Sequence, residues 1–214
     1  QGQTTRVLFS AKYTPNGFTA GETFYKFGNS PKLWHAADVV AQIKAKAQEV
    51  LGEADADKVT VTLAAEGNDM TKSGVRLVAA ANITYGTTAL RTEQVDQINA
   101  KLGFKKATST DAAVGLSTYE SGVSYYVARV KHFNELTPWN PGDKTYDGNN
   151  ANWLGRYGVL RNNWYELSVS SVSGPGYPDV PKVNPTVPDD ENDQYINVEV
   201  KILDWAKRSQ SIDL

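Results

Sequence analysis

Asn163-Trp164-Tyr165-Glu166-Leu167-Ser168-Val169-Ser170-Ser171-Val172 is rich in aromatic and β-branched side chains and runs into the corner Ser173-Gly174-Pro175-Gly176. Such a stretch, bounded by Gly and Pro, reads as a strand. Further on, Tyr195-Ile196-Asn197-Val198-Glu199-Val200-Lys201-Ile202 alternates apolar and polar residues, which puts one face on a core and the other in water. Residues 177–193, between the two, are rich in Pro and acidic side chains and can form neither helix nor central strand. Two strands joined by an acidic linker set the fold class as mainly β.

Upstream, Val123-Ser124-Tyr125-Tyr126-Val127-Ala128-Arg129-Val130 reads as a strand with aromatics on both faces. Residues 138–152 carry Gly, Asn, Asp and Pro and are expected to form a long loop exposing Trp139 and Tyr146. In the first half, residues 4–13 and 23–27 read as strands, with a turn signal at Pro15-Asn16-Gly17. Ser30 as N-cap and Pro31 at the first helical position predict a helix to Leu51, stopped by Gly52 and packed through Leu33, Val40, Ile43 and Val50. Residues 58–63 and 74–79 read as further strands. A second helix begins at Thr92, with Val95, Ile98 and Leu102 on one face and Gly103 at its end. Residues 105–122 turn to Ser, Thr, Ala and Gly and are expected to be a surface loop with little regular structure. The whole predicts a β-sandwich of about seven or more strands with two helices, as a single domain over 1–214.

A chain of 214 residues buries enough surface to fold without a disulfide or structural metal. The absence of cysteine excludes thiol catalysis, iron–sulfur clusters and thiolate zinc sites. With 22 basic against 24 acidic residues the net charge is −2, so nucleic acid is not an expected partner. No apolar run approaches the roughly 18 residues of a membrane-spanning helix. The sequence opens on Gln1 instead of Met, which points to a processed product or a piece of a longer protein, any secretion signal lying upstream.

The chemistry-bearing residues form no catalytic or metal-binding pattern. His35 and His132 are the only histidines, and neither has a second His or a carboxylate at ligand spacing. Asp147-Gly148-Asn149-Asn150 lacks the alternating oxygen ligands and closing Glu of a calcium loop and reads as a solvated turn. The acidic cluster Asp189-Asp190-Glu191 and Asp193 reads as a solubilising linker, with weak cation binding as the alternative. Asn82-Ile83-Thr84 matches a glycosylation sequon, a pattern that arises often by chance. Phosphate-binding loops and the Gly-x-Ser-x-Gly elbow are missing. We therefore expect no catalytic residues, no metal, no cofactor and no enzymatic activity.

The order Arg161-Asn162-Asn163-Trp164-Tyr165, then Gly174-Pro175-Gly176, an acidic linker and a last strand ending in Trp205 resembles the C-terminal domain of Bacteroidales fimbrillins, the subunits of type V pili. It is most like the shaft subunits of the short (minor) fimbriae of oral anaerobes. The likeness is strong over residues 123–206 and general over the first 120; the Trp139 to Asn152 loop departs from the family pattern. The resemblance implies transthyretin-like β-sandwich domains, export as a lipoprotein and trimming by an Arg-specific protease. Trimming removes an N-terminal strand and opens a groove, which a C-terminal segment of another subunit fills by strand addition. It implies a fimbrium on the bacterial outer membrane, with other pilus subunits and accessory fimbrial proteins as partners. Because the family's subunits are longer, the chain is expected to be a C-terminal piece carrying the donor end.

Residues 203–214 carry Leu203, Trp205, Ile212 and Leu214 after the last strand, without a turn or helix cap. They read as a donor tail for polymerisation; the bland alternative is a frayed terminus. Two other functions compete: a tip or anchor adhesin touching a host or bacterial surface protein or glycan through Trp139, Tyr146 and Trp153, and a secreted hydrolase using paired carboxylates.

Overall fold

The computed structural model describes residues 5–28, 30–52, 55–63, 75–109, 111, 113–130, 159, 161–181 and 196–204. The backbone is mainly β, built from small antiparallel sheets with two helices, as the sequence predicts. It divides into two compact units, one of residues 1–10, 125–176 and 183–214 and the other of residues 11–124 and 177–182.

In the first unit the strand β1 (Arg6–Lys12) pairs with β9 (Val123–Arg129). Ser124 and the run from Tyr126 to Val130 are buried, so β9 is enclosed on both faces over most of its length. The corner after β10 (Asn163–Val172) lies against this strand: the Tyr126 hydroxyl donates to the Gly174 carbonyl at 3.1 Å. A Cβ on Gly176 would sit 2.2 Å from the Tyr125 carbonyl oxygen and 2.8 Å from the Tyr126 ring, so only glycine fits there. β10 then pairs antiparallel with β11 (Ile196–Asp204).

The second unit holds the helices. β2 (Phe24–Phe27) lies between β3 (Leu33–Trp34) and β8 (Leu116–Tyr119), and β5 (Val75–Arg76) completes the order β3-β2-β8-β5. Side chains alternate across this sheet. Phe24 and Tyr119 are directly opposite in register and stack at 4.5 Å on one face, where Tyr13 and Phe18 meet Phe24 edge-on. Tyr25, Phe27, Trp34 and Leu116 occupy the other face and join the main core. That core takes Val39, Ile43 and Ala47 from α1 (Ala36–Leu51) and Val95 and Ile98 from α2 (Thr92–Lys101). A second sheet, β4 (Val59–Val61), β6 (Ile83–Tyr85) and β7 (Thr88–Ala89), adds Val59 and Ile83. Each Val or Ile side chain fully buried here contributes about 1.5–3 kcal/mol.

Three expectations change. The long helix starts at Ala36, not at Ser30. The Ser30 hydroxyl accepts instead from the Lys32 amide at 3.3 Å, and Leu33 and Trp34 pair with Lys26 and Tyr25 as β3. Strand pairing, an edge-on contact of Trp34 with Phe27 and the Lys32 ammonium 3.8 Å above the Trp34 ring favour this over another helical turn. Leu33 therefore leaves the helix, and the buried stripe passes through Val39 rather than Val40, which is only half-buried. Gly52 does end the helix, in a left-handed conformation with φ 69°.

The second correction is the expected loop 105–122, which contains β8 and a Lys105–Val114 bridge. Its Ser and Thr residues disguise an inner strand, because Leu116 and Tyr119 are the buried positions and Thr118 is β-branched. The third concerns residues 83–89, whose sequence shows no strand pattern: they form the β6–β7 pair, in the register Thr84–Ala89 and Tyr85–Thr88.

Candidate functional site

The strongest candidate surface is the β10–β11 ribbon. The register runs from Asn163–Asp204 through Trp164–Leu203, Glu166–Lys201 and Leu167–Val200 to Val172–Ile196, with an irregularity between Val169 and Ser171. Along β10 the residues Asn163, Tyr165 and Leu167 are half-buried while Trp164, Glu166 and Ser168 are exposed, the alternation expected of a strand with one wet face. Around the irregularity, every residue from Ser168 to Val172 is exposed and the alternation is lost. Trp164 is 62% exposed, and Val169 and Val172 are 45% and 44% exposed.

Among the described residues β10 and β11 have only each other as strand partners. The outward main-chain groups of such a ribbon are a template for a further strand, and exposed apolar side chains on alternate positions would grip one. Opposed Glu166 and Lys201 on the wet face set a polar stripe beside Trp164.

Of the expected tail, Leu203 lies within β11, its backbone opposite Trp164. Trp205, Ile212 and Leu214 lie outside the described residues, as do Trp139, Tyr146, Trp153, His132, the 147–150 turn and the 189–193 acidic cluster.

His35 is described, and it sits in extended backbone immediately before α1. Its Nδ1 is 2.6 Å from Glu22 Oε1, and its ring stacks on Phe18 at 3.8 Å. Glu22 also accepts from the Thr19 amide at 3.0 Å and the Thr19 hydroxyl at 2.9 Å. The Thr19 amide first, then the His35 and Thr19 side chains, hold the Glu22 carboxyl down at about 2. A His–carboxylate pair orients a catalytic imidazole in many enzymes. Here the hydrogen bonds close on Thr19 and the ring is stacked, so the arrangement clasps the 18–22 turn to the start of α1.

Sequence reading missed three further features. Asn99, 6% exposed on α2, accepts from the Val78 amide at 3.0 Å and donates to the Val78 carbonyl at 2.9 Å, acting as a strand partner for that residue. Lys46 and Lys101 both contact Glu49, tying α1 to α2 and lowering the Glu49 pKa, Lys46 making the larger contribution. The sequon residue Asn82 is half-buried, with its Oδ1 accepting from the Ala79 amide at 2.8 Å. A polar residue inside an apolar helix stripe was the only visible sign of Asn99. Among the described residues there is no group of three His, Asp or Glu side chains placed to hold a metal ion, and no helix is long and apolar enough to cross a membrane.

Residues 117–211 match the family model described as major fimbrial subunit protein type IV, fimbrillin, C-terminal. The match covers a little under half of the chain and takes in β9, β10 and β11. It supports a fimbrillin C-terminal domain over those residues, and the family so described is structural, not enzymatic. No curated protein matches the chain.

Proposed function

We propose that the chain is a structural subunit of a bacterial surface fimbria, or the C-terminal part of one, and that it polymerises by strand addition. The match of residues 117–211 to a fimbrial-subunit family carries this reading. The exposed β10–β11 ribbon, a two-stranded sheet with apolar side chains in water, is the surface expected of a chain that completes itself on a neighbour. In this proposal residues 1–214 form one fimbrillin C-terminal-type β-sandwich and the donor segment is the end of the chain. Leu203 and the β11 strand anchor it to the parent, and Trp205, Ile212 and Leu214 reach the next subunit. The partners are other copies and accessory fimbrial proteins, at the outer surface of the bacterium. Electron microscopy of the full-length subunit with and without residues 207–214 tests it: fibres from the truncated subunit overturn donation by the tail.

A second reading, an adhesin that grips a host protein or glycan through aromatics, gains support from Trp164, which is 62% exposed on a paired strand. Trp164→Ala separates the two. Loss of surface binding by intact fibres favours the adhesin, and loss of fibres favours assembly.

A further inference from the structure

The second unit contains a cavity of about 310 Å³ between the β2–β8 part of its sheet, α1 and the Thr62–Leu63 and Leu77–Val78 segments. This is near the lower bound for sites that enclose a small ligand. Part of the lining is aliphatic, from Ile43, Leu63, Val78 and Leu116, and part is polar, with the hydroxyl side chains of Thr23, Thr62, Thr118 and Ser121. Register explains part of this: Tyr25 and Thr118 are directly opposite on β2 and β8, so both project to the same side.

Tyr25 is only 8% exposed and lines the cavity, and Glu120 stands at its exposed rim. Among the described residues neither the Tyr25 hydroxyl nor the Glu120 carboxylate has a hydrogen-bond or ion-pair partner. Burial first, and then the negative charge of Glu120, push the Tyr25 phenol up, which places the carboxylate's field on the hydroxyl. Glu120 is the one group charged at neutral pH among the described lining residues.

These features select a ligand. An anion is repelled by Glu120. A wholly apolar molecule would leave the buried Tyr25 phenol desolvated and unpaired, which is costly. A compact cation with a short aliphatic stem satisfies both the polar and the aliphatic lining. Three diverging N–H donors of an ammonium suit a carboxylate, a phenol and scattered hydroxyls, whereas a planar guanidinium suits a flat bidentate acceptor pair. We propose that this cavity binds the primary ammonium end of an aliphatic amine, with the cation on Glu120 and Tyr25 and the methylene stem along Ile43, Leu63, Val78 and Leu116. The amine is either free or the side chain of a lysine on another polypeptide.

The test is a heteronuclear NMR titration of the whole chain at neutral pH with n-pentylamine, with 1-pentanol as the neutral isostere and with Nα-acetyl-lysinamide. The expected result is saturable shifts at Tyr25, Thr62, Thr118 and Glu120 on adding n-pentylamine, with 1-pentanol binding at least about tenfold more weakly. Glu120→Gln, at an exposed position, should weaken the amine at least about tenfold, and raised salt should weaken it too. Tyr25→Phe provides a second variant that keeps the buried ring and should also weaken binding. Shifts with Nα-acetyl-lysinamide at the same residues assign the site to a polypeptide lysine. Shifts with n-pentylamine alone assign it to a free amine. Equal binding of n-pentylamine and 1-pentanol, an absence of saturable shifts, or unchanged affinity in both variants would overturn the proposal.

Discussion

Asn99 does for Val78 what a neighbouring strand would do, meeting both its amide and its carbonyl from a helix. Replacing it with Ala leaves two main-chain groups buried beside α2 without partners, each costing about 1–3 kcal/mol. Asn99→Ala should therefore lose about 2–6 kcal/mol in urea unfolding; a loss below about 0.5 kcal/mol, the usual range for inert surface sites, would show that water takes over the role. The Glu22 clasp makes a different prediction. Its folded pKa of about 2 lies below the ordinary 4.5, so its stabilisation is present above pH 4.5 and drains away as pH falls towards 2. Glu22→Gln should flatten that part of the stability-against-pH curve and leave the curve above it parallel to the parent's. Neither residue was legible beforehand. Asn99 is one polar letter on an apolar face, and Glu22 and His35 are brought together only by the turn that Phe18 and Thr19 form.

Secondary elements were read best where the alternation or the helical spacing was uninterrupted. β10, β11, β9 and α2 fall close to their expected limits, because each has an unbroken apolar pattern and a Gly or acidic boundary. The failures share a cause: tertiary pairing outweighed local signals. Ser30-Pro31 is a sound helix start, yet Leu33 and Trp34 do better as a strand beside β2. Residues 116–119 look like loop until Phe24 is placed opposite Tyr119. The corner at Gly174-Pro175-Gly176 offers a test at this scale. Gly176→Ala would press a methyl into the Tyr125 carbonyl and the Tyr126 ring, so β9 or the corner must move. A loss of about 1–3 kcal/mol is expected from such overpacking, read as a lowered melting temperature. An unchanged melting temperature would mean that the corner is not seated on β9. Tyr126→Phe, which removes the hydroxyl that bonds Gly174 and keeps the ring, should cost less, about 0.5–1.5 kcal/mol.

At the scale of the whole molecule, the proposed fimbrial subunit leaves a strand partner for its neighbour to supply. In the assembly proposed above, the exposed β10–β11 ribbon and the family match support polymerisation, and Trp205, Ile212 and Leu214 belong to the segment proposed to donate. Sequence suggests the proposed donor because a run carrying Trp205, Ile212 and Leu214 has no local reason to be apolar. It could not show an acceptor, since a sheet edge is a property of pairing and not of composition. β11 already pairs with β10 as far as Asp204, so a cut before Lys207 spares the ribbon. Truncation of residues 207–214 in the full-length subunit, followed by melting and by electron microscopy, is the most direct measurement. A melting transition within about 0.5 kcal/mol of the parent, together with complete loss of fibres, is the predicted result. Fibres of normal length from the truncated subunit would contradict it.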